Sequence, residues 1–272
     1  MTTSVSPDRV ALRARQQKVW SSGDYNRIAA LTVPVNERTV ATAAIVPDEH
    51  VLDVATGTGH SALAAARQGG RVTAIDYVPT LLEIARRRAA AECLDVDFVE
   101  APAEVLPFGN GAFDVGISTI GIMFAADHDQ AARELARVVR PGGRIVVTSW
   151  TSDGFVGGML AAVGKHVAPP PGARPATLWG EEGHVASLFG DRVASLRSHT
   201  GTLTVRFTDA DEFADLFLGY YGPTFSAAST LDDDGRASLR ADLIALAESR
   251  QTRIVGGISI DWEYRLVEAV RS

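Results

Sequence analysis

Val51-Leu-Asp-Val-Ala-Thr-Gly-Thr-Gly-His60 is the stretch of sequence that decides the fold. Its first four residues are mostly apolar, as a short strand buried in a parallel sheet requires. Gly57 and Gly59 permit a sharp turn in which the backbone can approach a ligand without a Cβ atom in the way. The alanine-rich segment that starts at Ser61 favours a helix, whose first N–H groups would face the contents of the turn. The stretch therefore predicts a strand, a ligand-binding turn and a helix.

Composition and charge exclude several classes of protein. The chain has 272 residues, a formal net charge of -7 and no long run of Lys or Arg. Binding to nucleic-acid phosphates needs a basic face, so a nucleic-acid partner is disfavoured. The single cysteine, Cys93, excludes a disulfide framework and an iron–sulfur cluster held by several cysteines. No apolar run is long enough to span a bilayer and the N-terminus has no signal-peptide core, so we expect a cytoplasmic protein without a membrane span.

Strand-like and helix-like segments alternate after the opening stretch. Further strands in this alternating region are predicted at 71–76, 96–100, 113–118 and 144–150. Alternation at this spacing is typical of βαβ units and predicts a doubly wound, mostly parallel α/β sheet. Later in the chain, where the pattern is weaker, strands are predicted at 193–207 and 258–270.

The chain divides into parts of different character. The first six residues are expected to be disordered, and Asp24 is a candidate N-cap for the helix that follows it. The four predicted parts are an N-terminal helical cap (1–46), a ligand-binding core (47–150), an insertion that forms a lid over the acceptor site (151–192), and the remaining strands and C-terminal helices (193–272).

Two carboxylates near the first turn bear on the identity of its ligand. Gly57 to Ala62 fits the relaxed dinucleotide pattern G-x-G-x-x-G/A, and Asp76 follows at a distance where a carboxylate can accept both ribose hydroxyls. These features fit NAD and S-adenosylmethionine equally. Asp53 lies inside the first strand, where its charge would repel a pyrophosphate but attract the ammonium group of a methionine moiety. S-adenosylmethionine is therefore favoured over an NAD(P)-dependent oxidoreductase, for which the chain also lacks a Tyr-x-x-x-Lys pair.

Four segments, in this order, resemble the successive motifs of class I S-adenosylmethionine-dependent methyltransferases. They are Val51 to Gly59, Asp76, Ala103 to Asp114, and Glu134 to Gly143. The sequence is most similar to the ubiquinone/menaquinone-type C-methyltransferases, strongly over residues 45–150. This resemblance implies a Rossmann-like fold with a seven-stranded sheet, S-adenosylmethionine as the cofactor and S-adenosylhomocysteine as its product.

The resemblance also implies roles for individual residues. The turn from Asp53 to Gly59 would hold the methionine end of the cofactor, Asp76 would bind the ribose, and Tyr77 would pack beside the adenine. The family usually has Asp or Asn where this chain has Pro102, so only backbone contacts to the adenine are expected from that loop. The predicted cofactor-binding residues, the last two of them below the sulfonium, are Tyr25, Asp53, Ala55, Thr56, Gly57, Thr58, Gly59, Asp76, Tyr77, Pro102, Ala103, Glu104, Ser118 and Thr119.

The methyl acceptor is predicted only by class. The fourth strand ends Ser-Thr-Ile-Gly and lacks the Asp/Asn-Pro-Pro-aromatic motif of enzymes that methylate nitrogen atoms in DNA or protein. With the acidic charge, this favours an oxygen or carbon acceptor on a small, largely apolar metabolite. Trp20 and Tyr25 either close over the cofactor or anchor the N-terminal helix. Further apolar residues that either line an acceptor pocket or belong to the core are Met123, Phe124, Trp150 and Trp179.

His128 is the candidate catalytic residue, because a histidine with a pKa near neutrality can deprotonate a phenol or an enol. The alternative is that Asp127 or Asp129 caps the next helix and His128 lies in its first turn. A metal site at these three residues is disfavoured because adjacent side chains diverge at a helix start, and no metal is expected. His166, His184 and His199 show no ligand spacing and are expected at the surface or in loops.

Alternatives to a methyltransferase remain at this stage. A fold that binds S-adenosylmethionine can catalyse another reaction or none, because the cofactor site and the acceptor chemistry are separate. The expected partner is a small-molecule substrate, and a homodimer is the expected form of any oligomer.

Overall fold

The computed structural model describes residues 7–272, so the predicted disorder of residues 1–6 lies outside the described residues. Three helices precede the sheet: α1 (Pro7–Trp20), α2 (Tyr25–Ala29) and α3 (Val33–Ala43). A 3-10 turn over 30–32 joins α2 to α3. None of the helices within the described residues is long and apolar enough to cross a membrane.

A single mixed sheet forms the centre of the molecule. Its strands are β1 (His50–Val54), β2 (Arg71–Asp76), β3 (Val96–Glu100), β4 (Phe113–Thr119), β5 (Val139–Trp150), β6 (Val193–Phe207), β7 (Gln251–Ile254) and β8 (Gly257–Arg271). Seven of them follow the order β3-β2-β1-β4-β5-β8-β6, and the short β7 pairs with β8. The first five strands in that order run parallel to one another. β8 pairs antiparallel with β5, and β6 pairs antiparallel with β8. The predicted doubly wound, mostly parallel sheet is confirmed.

Helices cover both faces of this sheet. They are α4 (His60–Arg67), α5 (Pro79–Ala91), α6 (His128–Val138), α7 (Phe155–His166), α8 (Glu182–Phe189), α9 (Ala210–Tyr220), α10 (Gly222–Thr230) and α11 (Asp233–Arg250). β1 is central, and Val51, Leu52 and Val54 are fully buried on its two faces. Burial on both faces explains why this strand is a continuous apolar run interrupted only by Asp53.

Two local predictions are wrong. The strand predicted at 144–150 begins at Val139 instead. Gly142 has a φ of 74, and the pairing with β4 shifts register between Phe113 and Val115, which accommodates the additional residues. Asp24 occupies the N-cap position of α2, but its side chain accepts no hydrogen bond from the helix. It lies instead 3.4 Å from the Arg27 guanidinium.

The stability that a helix N-cap contributes can be tested by comparing Asp209, whose side chain accepts a hydrogen bond from its helix, with Asp24, whose side chain does not. Asp209 caps α9, because its Oδ1 accepts a hydrogen bond from the Glu212 N–H at 2.8 Å. Asp209→Ala should lower the free energy of unfolding by about 1 kcal/mol. The matched variant Asp24→Ala removes only an exposed ion pair and should cost less than about 0.5 kcal/mol. Urea unfolding followed by circular dichroism measures both, and equal losses would contradict the cap assignment.

Candidate functional site

A cleft of about 600 Å³, part of it open to solvent, lies at the carboxyl ends of β1 to β4. β1 and β4 are neighbours in the sheet although two strands separate them in sequence, so the strand order reverses at this point. Ligands of open α/β sheets bind in the crevice that such a reversal creates. The predicted cofactor-binding residues that line the cleft are Tyr25, Ala55, Gly57, Asp76, Tyr77, Pro102, Ala103 and Glu104.

The turn after β1 depends on left-handed backbone conformations. Ala55, Gly57 and Gly59 have φ angles of 56, 54 and 88. A Cβ atom on Gly59 would lie 2.9 Å from the Cβ of Ala85 on α5, so this glycine allows the turn to pack closely against that helix. Ala55 has its Cβ in a conformation that disfavours L-residues, which is a typical form of strain at a ligand site.

Asp53 lies beneath this turn and is only 1% exposed. Its Oδ2 accepts a hydrogen bond from the Thr56 hydroxyl at 2.6 Å, and its carboxylate also accepts one from the Ala62 N–H. The Oδ1 atom is buried and has no hydrogen-bond partner among the described residues. Burial raises the pKa of Asp53 to about 7, and the nearby charge of Asp76 adds to the rise. A buried carboxylate oxygen without a partner indicates a missing cationic or hydrogen-bonding group.

Asp76 ends β2 and is 4% exposed in the wall of the cleft. Its two oxygens accept hydrogen bonds from the N–H groups of Gly57 and Val78 at 2.8 and 2.9 Å. These bonds hold the carboxylate against the glycine turn and leave each oxygen a further lone pair. Burial nevertheless raises the pKa of Asp76 to about 6. Two buried carboxylates thus flank one turn, and the site favours a cation.

Thr58 and Glu104, two further predicted cofactor-binding residues, differ in their hydrogen bonding. The Thr58 hydroxyl is buried without a hydrogen-bond partner among the described residues. The Glu104 Oε1 atom accepts hydrogen bonds from the N–H groups of Ala126 and Asp127, at 2.8 and 3.4 Å. Glu104 therefore ties the loop after β3 to the loop before α6, and this fixes the width of the cleft.

The hydroxyls of Ser118 and Thr119, predicted to contact the cofactor at the end of β4, are hydrogen-bonded to neighbouring elements. The Ser118 hydroxyl donates a hydrogen bond to the Val54 carbonyl at 2.7 Å and accepts one from the Ile122 N–H at 3.0 Å. The Thr119 hydroxyl lies 2.8 Å from that of Ser61. Neither residue is among the described residues that line the cleft. Both hydroxyls instead join β4 to β1 and α4.

The cleft is lined instead by the residues that come next, Ile120 to Ile122. Ile120 has a φ of 53, which turns the chain into the cleft immediately after the strand. A Cβ atom on Gly121 would lie 2.5 Å from the Ala55 carbonyl oxygen, so only glycine permits this approach. In the sequence Ser-Thr-Ile-Gly, the glycine is the residue that could have predicted this close approach to the turn after β1.

Helix α1 covers one side of the cleft. Arg13, Gln16 and Trp20 line it, at the spacing of one helical face. The Gln17 side chain donates a hydrogen bond to the Tyr77 carbonyl, and the Arg9 guanidinium donates one to the Ala126 carbonyl at 2.7 Å. The helix is thus fastened to loops on both sides of the cleft. The segment 151–192, predicted as a lid over the acceptor site, provides none of the described lining residues of this cleft, but its Val156 and Met159 line the second cavity described below.

His128, the candidate catalytic residue, is buried among aromatic rings away from the described lining of the cleft. It is 1% exposed, its ring centroid lies 5.9 Å from that of Trp179, and its Nδ1 atom lies 3.3 Å from Nε2 of His184. Burial, with the nearby positive charges, lowers the pKa of His128 to about 4. It is absent from the described lining of the cleft. Asp127 caps α6 by accepting a hydrogen bond from the Gln130 N–H, so the helix-cap alternative describes this segment.

Within residues 7–272, no group of three or more His, Cys, Asp or Glu side chains is arranged to hold a metal ion. His166 and His184 are half-buried in helices, where His184 contacts His128 and His166 lies 2.9 Å from the Asp242 carboxylate, whereas His199 is exposed on β6.

A second cavity, here named the aromatic chamber, adjoins the cleft and has a volume of about 300 Å³ including its open part. It shares Trp20, Tyr25, Ile120 and Phe124 with the cleft. Its remaining walls come from α2 and the segment after it, β5, α7, α9, the residue after α9, and β8: Ile28, Thr32, Trp150, Val156, Met159, Phe217, Tyr221 and Trp262. Of the apolar acceptor-pocket candidates, Phe124 and Trp150 lie here, whereas Met123 and Trp179 are core residues.

Comparison with known proteins identifies the family. Residues 52–147 match the family model described as a methyltransferase domain. An uncharacterized protein of Mycobacterium tuberculosis is 40% identical over 267 residues, which cover 96% of each chain. The demethylmenaquinone methyltransferase of Deinococcus radiodurans is 34% identical over 154 residues, which cover 54% of this chain and 64% of that protein.

Solved structures show the same fold at low sequence identity. The YcgJ protein of Bacillus subtilis gives a TM-score of 0.61 at 18% identity, over 87% of this chain and 97% of that one. The [4+2]-cyclase SpnF gives 0.57 at 20% identity, over 88% and 81%. The sheet order, the glycine turn flanked by two buried carboxylates, and the matched domain agree: the chain belongs to the class I S-adenosylmethionine-dependent methyltransferases.

Proposed function

We propose that the protein transfers the methyl group of S-adenosylmethionine to an oxygen or carbon atom of a small, largely apolar metabolite. The observation that carries this proposal is the buried Oδ1 atom of Asp53, which has no partner among the described residues and lies beneath the turn at the cleft. An ammonium group is the complement of such an oxygen, because a charge-assisted hydrogen bond would offset the cost of burying the carboxylate.

The same residues disfavour a dinucleotide. A pyrophosphate at the turn would lie near two buried carboxylates, Asp53 and Asp76, and like charges in a poorly solvated site repel each other. Arg13 is the only lysine or arginine among the described residues that line the cleft. The charge of the site therefore suits a cationic methyl donor better than NAD.

The proposed roles of the chain's own residues concern binding and exclusion of water. When bound, S-adenosylmethionine supplies an electrophilic methyl group, so no residue needs to activate the donor. Asp53 would hold the ammonium group, and Asp76 has lone pairs left to accept hydrogen bonds from ribose hydroxyls. Trp20 and Tyr25 would exclude water between the cleft and the aromatic chamber. Orientation and a dry site are sufficient for transfer from a reactive donor.

The apolar lining of the chamber supports an apolar acceptor. The partial similarity to a demethylmenaquinone methyltransferase, a protein named for methylation of a quinone, agrees with carbon as one acceptor atom. The carboxylates that line the cleft, Asp76 and Glu104, are hydrogen-bonded to backbone N–H groups of its loops, so the acceptor proton would leave to solvent or to a group on the substrate.

A second candidate function is a different reaction on the same fold. The structural similarity to a [4+2]-cyclase supports this possibility, since that protein shares the architecture at 20% identity. In that case the cofactor would still bind at the glycine turn, but no methyl group would leave it. Transfer of label to product distinguishes the two functions.

The test of the proposal combines binding and turnover. Isothermal titration calorimetry should show that S-adenosylhomocysteine binds to the protein and that NAD does not. Incubation with methyl-labelled S-adenosylmethionine and a panel of phenols, quinols and polyketides should then yield labelled product. Binding of NAD alone would contradict the family-based cofactor assignment, and binding of S-adenosylhomocysteine without label transfer from any acceptor would favour the second function.

Asp53→Asn tests the ammonium site. In the folded protein the pKa of Asp53 lies near 7 instead of its ordinary 3.8, so the folded state retains a proton that the unfolded state has lost. Ionisation of Asp53 therefore costs stability progressively from about pH 4 to pH 7, and the full cost persists above pH 7. Without cofactor, Asp53→Asn should be more stable than the natural protein at pH 8, by a margin that shrinks at pH 5.

The same variant should bind S-adenosylhomocysteine more weakly at pH 8, by about 1.5–3 kcal/mol for the lost charged hydrogen bond. Asp97→Asn, which removes the charge of an exposed residue on β3, is the matched control and should change neither quantity. Thermal unfolding and calorimetry at both pH values provide the measurements. Unchanged affinity of Asp53→Asn would show that Asp53 does not hold the ammonium group.

A further inference from the structure

We infer that the aromatic chamber binds the methyl acceptor as a flat aromatic ring bearing an oxygen, and that the indole N–H of Trp262 donates a hydrogen bond to this oxygen. The inference rests on the proposed function, because it places the acceptor next to a cofactor in the cleft. It goes further in naming the acceptor class and a residue that selects it.

The position of the chamber is the first argument. Trp20, Tyr25 and Phe124 separate it from the cleft, and the Trp20 ring contacts the other two edge-on, with centroids 5.3 and 4.7 Å away. A group in the chamber is thus separated from the cleft only by side chains. Methyl transfer requires donor and acceptor atoms in contact, and this adjoining cavity provides the second position.

The shape and chemistry of the walls are the second argument. The Trp262 ring lies edge-on to Trp150 and Phe217, with centroid distances of 5.8 and 5.6 Å. Tyr221 adds a further ring, 5.4 Å from Phe217. Aromatic rings prefer such edge and offset contacts to one another, so walls of this kind favour a flat ring over a flexible chain.

The indole nitrogen of Trp262 is the third argument. Trp262 is 1% exposed on β8, and its Nε1 atom is buried without a hydrogen-bond partner among the described residues. Buried polar groups are normally paired, and an indole N–H is only a donor. The group that pairs with it must therefore be an acceptor, such as a carbonyl or ether oxygen. Thr32, Tyr25 and Tyr221 carry the side-chain oxygens of the chamber lining, and none of them accepts a hydrogen bond from this N–H.

Entry of a ring requires movement of the near wall. The chamber's own side chains leave little free space in this conformation. Trp20, Tyr25 and Phe124 are half-buried, whereas Trp150, Phe217 and Trp262 are buried. The near wall, to which Trp20 at the end of α1 belongs, is therefore the part that a ligand can displace.

The chain offers a matched control for Trp262. Trp179 is also 1% exposed with a buried, unpartnered Nε1 atom, but it packs against His128 and Phe189 and is absent from the described lining of the chamber. Trp262→Phe and Trp179→Phe thus remove the same N–H group and keep an aromatic ring. Only the first substitution changes the chamber.

The probes are 1-tetralone, an aromatic ketone, and tetralin, the same ring system without oxygen. Calorimetry is performed in the presence of saturating S-adenosylhomocysteine. The natural protein should bind 1-tetralone about tenfold more tightly than tetralin, because the ketone oxygen pairs with the indole N–H. Trp262→Phe should abolish this ratio, and Trp179→Phe should retain it. Equal binding of the two probes to the natural protein would overturn the inference, as would a retained ratio in Trp262→Phe.

Indole NMR provides a measurement that does not depend on the folding of a variant. The chain has four tryptophans, so ¹⁵N-labelled protein gives four indole N–H signals. We expect 1-tetralone to shift the indole N–H proton of Trp262 downfield, whereas tetralin should cause no such shift. A shift only at the indole of another tryptophan would overturn the assignment. Titration with S-adenosylhomocysteine on the same samples separates the two proposals: its failure to bind contradicts the proposed function, whereas its binding without a tetralone response contradicts this inference alone.

Discussion

Asp53 occupies the central strand of the sheet with a charge that the protein compensates only in part. The Thr56 hydroxyl and the Ala62 N–H each donate a hydrogen bond to it, but the Oδ1 atom has no partner among the described residues and the pKa rises to about 7. A strand otherwise buried on both faces would be more stable with an apolar residue at this position. The carboxylate is therefore understandable as part of a site, and the left-handed residues of the following turn place backbone, rather than side chains, above it.

Much of the fold could be predicted because its signals are local. The apolar run of β1, the glycine turn and the alternation of strands and helices depend on periodicity within a few residues. Contacts at the end of β4 could not be predicted in the same way. Ser118 and Thr119 have side chains suited to ligand binding, but their hydroxyls are used by neighbouring elements, and the left-handed Ile120 turns the next residues into the cleft. Residue type alone does not reveal such competition.

Tertiary packing also decided which segment covers the cleft. The apolar, glycine-rich segment after β5 supplies none of the described lining of the cleft; its helix α7 packs on α11 and contributes Val156 and Met159 to the aromatic chamber, and α8 packs on α6. Helix α1 has a weakly amphipathic sequence, but Gln17 and Arg9 fasten it to carbonyl groups on both sides of the cleft. His128 shows the same limit: its position after a strand end suggested a base in the cleft, but its burial against Trp179 and His184 could not be predicted from the sequence.

The cleft and the aromatic chamber are built from different parts of the chain. The carboxylates and turn of the cleft come from β1, β2 and the loops that follow them, all inside the matched domain of residues 52–147. Most of the chamber walls, including Trp150, Phe217 and Trp262, lie outside that domain. Proteins that share the domain can therefore retain the cofactor site while the flanking segments change the acceptor site. The 40% identity to the mycobacterial protein extends over 96% of both chains, so it includes the flanking segments, whereas the similarity to the demethylmenaquinone methyltransferase covers only 54% of this chain. Under the proposed function, the chamber residues of full-length relatives would therefore indicate the acceptor better than the shared domain does.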